Sequence, residues 1–317
     1  MTVLIKTVQD LVASIPQNLI HSVKYIKSTI SNDDNDLFSF DDDTEVLPSS
    51  EFKNHCFSKG FLYYSAGYQK AMNERKVVLI NDTILFDMNI QKKTRTSIIG
   101  TLKYDTDIEI LKILQKTGYM RSSYDLGLGK TVKYPEVIHH LETVFDGASY
   151  KNSKKRSQRL VQPLKVIENN KITLRKISKE DIHAVDAFCE TWTNVKLEDP
   201  KVFKMMFSNP NKHIKMAIED GTYGEVWGYF IGDTLINLQL FYVEGEYAYS
   251  LYNVTTRDSS IDARINAACY LHIMSVLKDR GVKHWNVGLA LNPSLSAFKH
   301  HYPSEDVAYL HYPKAKD

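Results

Sequence analysis

The chain has 317 residues, 43% hydrophobic and 25% charged, with a formal net charge of +2. That balance excludes a disordered or collagen-like chain and a uniformly basic nucleic-acid binder, and the length suits one large or two medium domains; two is the reading adopted. Apolar stretches run only a few residues and Met1–Lys27 carries Lys6, Asp10 and Lys24 within its apolar pattern, so neither a membrane span nor an export signal is expected and the location expected is cytoplasmic. Cys56, Cys189 and Cys269 are odd in number and lack C-x-x-C spacing, which fits reduced thiols and offers no metal site.

In chain order, residues 1–50 read as a helical and acidic segment, with the Asn/Asp/Ser-rich stretch from Asp33 to Glu45 as a solvated loop. Lys76–Ile80 and Thr83–Ile90 read as strands around an Asn81-Asp82 turn. Asp107–Lys116 follows as a helix ended by Gly118, and Tyr119–Leu126 as a strand. Asp125–Thr131 ends in Gly-Lys-Thr, but the first glycine of a P-loop would fall at Tyr124, so nucleotide hydrolysis is not inferred. Lys151–Arg159 (KNSKKRSQR) is a dense basic run. Lys154, Lys155, Arg156 and Arg159 would set three or four cations on one or two helical turns, which suits a phosphate-bearing partner; a solvated linker is the plain alternative.

Ser178-x-x-Asp181 has the form of a capping box, with Ile182, Val185, Phe188 and Trp192 on one helical face, and Asp199-Pro200 opens a further short helix. From Val226, three strands are separated by Gly232-Asp233 and Glu244-Gly245-Glu246. A helix Ile261–Arg280 ends at Gly281, and VKHWNVG re-enters a sheet. The order hairpin, helix, strand thus occurs twice, by internal duplication or by chance recurrence.

The run Gly281, Asn286-Val287-Gly288, Phe298-Lys299-His300-His301-Tyr302-Pro303 and VAYLHYP resembles the GNAT superfamily, and within it the Fem-type aminoacyltransferases and tandem-GNAT relatives such as the C-terminal domain of phosphatidylglycerol lysyltransferase. The resemblance covers about residues 220–313 and is joined by the basic run and the capped helix ending near Trp192. It implies an α/β (α+β) fold of tandem GNAT-like modules, with mixed, mostly antiparallel sheets flanked by helices. Residues 51–150 would be a degenerate module and 151–317 the catalytic one.

It also implies an acyltransferase, aminoacyl by preference, acting on an amine or hydroxyl of a phosphate-bearing acceptor such as a peptidoglycan precursor or lipid head group. The donor would be an aminoacyl-tRNA or an acyl-CoA. Thr255–Ile261 (TTRDSSI) has no glycine where acetyl-CoA-dependent relatives carry a pyrophosphate loop, which favours the aminoacyl donor. Lys299 stands where such relatives place a substrate-contacting lysine, and His300, His301 and Tyr302 join it as catalytic candidates: an imidazole to take a proton, Lys299 or Tyr302 to polarise a carbonyl. Trp227, Tyr252, Asn253, Asn286 and Phe298 are expected at the substrate with the four cations. Two alternatives stay open: a transferase that places an amino acid or acyl group on a DNA or RNA base, using the cations for the backbone and the aromatic residues for the base, and an inactive GNAT-like binding module.

Overall fold

The computed structural model describes residues 8–27, 45–47, 76–89, 93–98, 102–122, 125–129, 132–197, 210–219, 224–256, 258, 264–290 and 293–315. Contacts divide the chain into two compact units, Met1–Glu136 with Asp306–Asp317, and Val137–Glu305. The division falls at 136/137, not at the 150/151 read from the sequence, and the C-terminus belongs with the first unit.

In the first unit β1 (Val23–Lys27) lies between the short β2 (Glu45–Leu47) and β3 (Lys76–Ile80), and β4 (Ile84–Asn89), β5 (Lys93–Ile98) and β6 (Gly118–Ser122) follow in that order. The chain's last strand, β13 (Glu305–Tyr312), pairs antiparallel with β6. Asn81 and Asp82 take the left-handed conformation, φ 53° and 55°, which gives the β3–β4 turn the twist a hairpin requires. The helix Asp105–Thr117 carries the chain from β5 to the parallel β6 and buries Ile110, Leu111 and Leu114 against Val78, Ile80 and Ile84. The described part of residues 1–50 joins this core and its strands. Leu11 and Ile15 enter the same core and β1 pairs with β3, since VKYIK alternates over too few residues to stand out in sequence.

The second unit orders its strands β7 (Val132–His140), β12 (His284–Leu289), β11 (Tyr247–Thr255), β10 (Thr234–Glu244), β9 (Glu225–Ile231) and β8 (Ile172–Lys176). β8 to β11 are antiparallel, and the helix Ile265–Asp279 connects β11 to the parallel β12. Gly281, φ 85°, supplies the left-handed residue that ends this helix. Trp285, Tyr270, Tyr302 and Phe241 pack with Leu271, Met274 and Leu277 beneath it. The Ser178 capping box is formed: the Asp181 carboxylate accepts from Ser178 N at 2.9 Å and from the Arg175 guanidinium at 2.7 Å. The basic run starts a helix at Ser153, with Asn152 Oδ1 accepting from Lys155 N at 2.8 Å.

The strand order repeats one plan. The run β1-β3-β4-β5-β6-β13 matches the run β8-β9-β10-β11-β12-β7, with the crossover helix before the parallel strand in each. The last strands of the two runs are exchanged along the sequence: β7, which follows β6, lies beside β12, and β13, which follows β12, lies beside β6. The expected hairpin, helix, strand repetition is therefore an architectural one. The Asp199-Pro200 helix and most of the Asp33–Glu45 and Thr255–Ile261 stretches lie outside the described residues.

Candidate active site

The site is built in the second unit where two parallel strands part. β11 pairs with β12 only through Tyr247↔His284, Ala248↔Trp285 and Tyr249↔Asn286, although β11 continues to Thr255 and β12 to Leu289. On its other edge β11 stays paired to β10 as far as Thr255, but the register slips between Leu240 and Phe241, leaving Leu251 unmatched between Ser250 and Tyr252. A bulge of this kind bends its strand and raises the local twist. β11 turns from β12 directly after their last shared pair, so its edge beyond Tyr249 has no strand partner among the described residues.

The departing end of β12 is shaped by three residues. Gly288 has φ 74°, a conformation that strains any residue with a Cβ, and buried Asn286 holds it by accepting from Gly288 N at 2.8 Å. Lys299, 8% exposed as a residue, ends the short helix Pro293–Lys299, and its ammonium donates to Val287 O and, at 2.8 Å, to Leu289 O. The anion contact expected for Lys299 is not what its position gives, because its charge faces backbone carbonyls inside the protein. A cation at the end of a helix is also where the helix dipole favours it.

The residues after Lys299 fall into three environments. His300 Nδ1 donates to Ser296 O at 2.7 Å. His301 is half-buried beside Arg159, and burial, then the guanidinium charge, holds its pKa below the usual histidine value, so it is neutral at pH 7. No hydrogen bond reaches either of its ring nitrogens among the described residues. Tyr302 is buried edge-on to His301 at 4.9 Å between ring centroids, and burial pushes its phenol far up. Phe298, expected at the substrate, packs against Tyr270 with ring centroids 4.8 Å apart.

Arg159 is aimed at this group by an irregularity of the backbone. Ser157–Val161 form a π-turn between the helices Ser153–Arg156 and Gln162–Asn169, and such insertions recur at functional sites. The Arg159 charge acts on Tyr150, His301 and Tyr302, though burial still drives the Tyr150 phenol up to about 12. Lys154, Lys155 and Arg156 are exposed, and no carboxylate pairs with any of them among the described residues. The Arg156 guanidinium lies flat against Gly147, where a Cβ would come within 2.6 Å of its central carbon. The basic run thus contributes Arg159 to the His301 group and three outward cations.

The remaining sequence candidates divide. Tyr252 and Asn253 lie on the open stretch of β11, with Tyr252 buried and Asn253 Oδ1 accepting from Asn237 Nδ2 at 3.1 Å. Trp227 sits on β9, two strands from β11, and its indole donates to Glu225 at 3.0 Å; Glu225 in turn pairs with Arg280. It packs against the buried cluster that includes Tyr150 and Tyr302. Sequence reading passed over His139, which is wholly buried with Nδ1 on Pro303 O at 3.0 Å and Nε2 on Tyr270 Oη at 2.9 Å. A carbonyl can only accept, so Nδ1 carries the proton and Tyr270 donates to Nε2. Burial lowers the His139 pKa to about 4. The only signal was a His at the end of an apolar strand, IHH, which points no more to a site than to a core.

No protein-family model matches the sequence, and no curated protein matches it at a significant level. Solved structures do. L-PGS from Bacillus licheniformis superposes with a TM-score of 0.53 at 14% identity, over 78% of this chain and 86% of that one. FemX superposes at 0.52 and 12% identity, over 84% and 96%. The fold is the one these structures share. A conserved protein of unknown function from Bacteroides thetaiotaomicron gives 0.63 at 11% identity, over 84% and 96%. At these identities the likeness is one of fold. The bulged β11 and its half-paired neighbour belong to the module in which the described side chains gather, and no described helix is long and apolar enough to cross a membrane.

Proposed function

We propose that the second unit transfers an acyl group, by preference an aminoacyl group, from an activated ester or thioester to an amine or hydroxyl of a phosphate-bearing acceptor. The observation that carries this reading is the parting of β11 from β12 at the Leu251 bulge. It leaves backbone N–H groups on one strand edge, without a neighbouring strand, where an extended acyl donor can lie and where a developing oxyanion can be met. The likeness of fold to FemX and L-PGS supports the reading.

In this scheme the acceptor attacks the acyl carbon directly. The new C–N or C–O bond forms as a tetrahedral oxyanion and the donor's C–O or C–S bond then breaks. His301 takes the proton of the attacking group and returns it to the leaving group, since it is neutral at pH 7 and stands beside the cation that would hold the acceptor. Arg159, with Lys154, Lys155 and Arg156, binds the acceptor phosphates. Lys299 acts as a positioning residue that fixes the end of β12, and Tyr302 supports the His301 ring. Most of the rate comes from orientation and oxyanion stabilisation, with one weak base.

The test offers the purified chain two donors, labelled aminoacyl-tRNA and acetyl-CoA, each with a peptidoglycan precursor carrying a diphosphate, anionic phospholipid vesicles, or duplex DNA. Label should move to one of the first two acceptors, with His301→Ala about 10²- to 10⁴-fold slower. Transfer to DNA would establish the nucleic-acid alternative instead. No transfer from either donor, or a fully active His301→Ala, would defeat the proposal.

A further inference from the structure

A chain of polar side chains runs through the second unit where apolar residues would serve a core equally well. Thr255 Oγ1 donates to Asn266 Oδ1 at 2.6 Å, and Asn237 Nδ2 donates to Thr255 Oγ1 at 2.8 Å and to Asn253 Oδ1 at 3.1 Å. Gln239 Nε2 then donates to Asn237 Oδ1 at 2.9 Å. Asn237 and Gln239 are wholly buried on β10, Asn253 and Thr255 are half-buried on β11, and Asn266 lies in the first turn of the Ile265–Asp279 helix. Gln239 Oε1 is buried with no donor among the described residues, a condition that native proteins seldom leave unmet.

Gln239 and Asn253 are direct partners across the β10–β11 ladder, so their side chains share one face of the sheet. Asn253 Nδ2 also has no hydrogen-bond partner among the described residues. One unmatched acceptor therefore neighbours one unmatched donor. This does not depend on which way the amides are drawn. Turning Asn237, Gln239, Asn253 and Asn266 over together reverses the chain of hydrogen bonds, with Asn266 Nδ2 donating to Thr255 Oγ1 and Thr255 Oγ1 donating to Asn237 Oδ1, and leaves Gln239 Nε2 as the unmatched donor and Asn253 Oδ1 as the unmatched acceptor. Asn253 lies past the last β11–β12 pair, on the strand edge assigned above to the donor.

We infer that Gln239 and Asn253 form a reading site for a secondary amide, whose C=O and N–H meet one donor and one acceptor, in the group bound along the open edge of β11. The inference rests on the acyl-donor reading of that edge and adds its chemistry: the bound group carries an amide one or more bonds from its reacting carbon. A peptide and a pantetheine arm both supply such an amide. A ligand with only esters or hydrocarbon there leaves both side chains unmatched, and sites built to bond a polar group discriminate strongly against analogues that lack it.

The test needs binding alone, so it stands whether or not transfer occurs. The side-chain amide signals of Gln239 and Asn253 are followed by NMR in the full chain during titration with N-acetylalanine methylamide, with methyl 2-acetoxypropanoate, its analogue in which both amides are esters and no N–H remains, and with pantetheine. Both signals should move with an amide probe, at least about tenfold more weakly with the ester, and Gln239→Leu should lower amide affinity by about tenfold or more. A response to the dipeptide alone assigns a peptide source, and a response to pantetheine alone assigns a pantetheine source. Equal binding of amide and ester, or no movement of the two signals with any probe, overturns the inference. Should Gln239→Leu fail to fold, the amide and ester titrations of the unaltered protein decide the matter.

Discussion

Replacing Lys299 with Met separates two roles for this residue. The side chain keeps its length and most of its packing while the ammonium is removed from Val287 O and Leu289 O. A hydrogen bond to a charged group contributes about 1.5–3 kcal/mol, and a buried acceptor left unmatched costs about 1–3 kcal/mol. Val287 is buried and Leu289 half-buried, so water can replace the donor more readily at the second carbonyl, and the net loss should be about 2–4 kcal/mol. For a cooperative unit of this size that corresponds to a fall in Tm of roughly 4–16 °C. Differential scanning calorimetry with urea unfolding of the whole chain measures both quantities. A variant with unchanged Tm and no acyl transfer would return Lys299 to the anion-contacting role expected from sequence and refute the positioning role. A variant unchanged in both would remove it from the site.

Below neutral pH the second unit should lose stability through His139, whose folded pKa of about 4 lies under its ordinary value. The unfolded chain binds the extra proton first, so stability falls as pH drops from about 6.5 to about 4, by about 3 kcal/mol for this group. His139→Gln should flatten urea midpoints over that window by a comparable amount, and parallel curves would refute it. In the first unit, Tyr312→Phe removes a hydroxyl that accepts from Leu126 N at 2.6 Å and donates to Asp125 at 3.3 Å. It should cost about 1–2 kcal/mol in denaturant titration, and a change under about 0.3 kcal/mol would show that the contact does not matter. Gly228→Ala would set a Cβ 2.6 Å from Ile177 Cδ1 and 2.7 Å from Phe230 Cε2. Overpacking of about 1–3 kcal/mol is expected, and a stability equal to the parent's would mean these side chains yield freely.

Sequence by itself determined the elements whose chemistry is local. The Asn81-Asp82, Gly232-Asp233 and Gly245 turns, the Gly281 helix stop and the Ser178–Asp181 capping box are all formed, because each depends on the conformational range or hydrogen-bonding reach of one or two residues. The twofold order of hairpin, helix and strand was legible for the same reason. Only the tertiary structure decided that β13 lies beside β6 and β7 beside β12, since strand partners far apart in sequence are chosen by edge and core, not by local propensity. It also decided what the candidate residues do. Lys299 turns inward because carbonyls past a parted strand pair need a donor. The charge of Arg159 acts on His301 from a π-turn that no spacing rule marks, and Trp227 on β9 meets the cluster of Tyr150 and Tyr302 only through the packed core. Gln239 and Asn237 had no legible role in a strand of apolar neighbours; their partners on β11 and on the helix meet them only when the sheet is assembled.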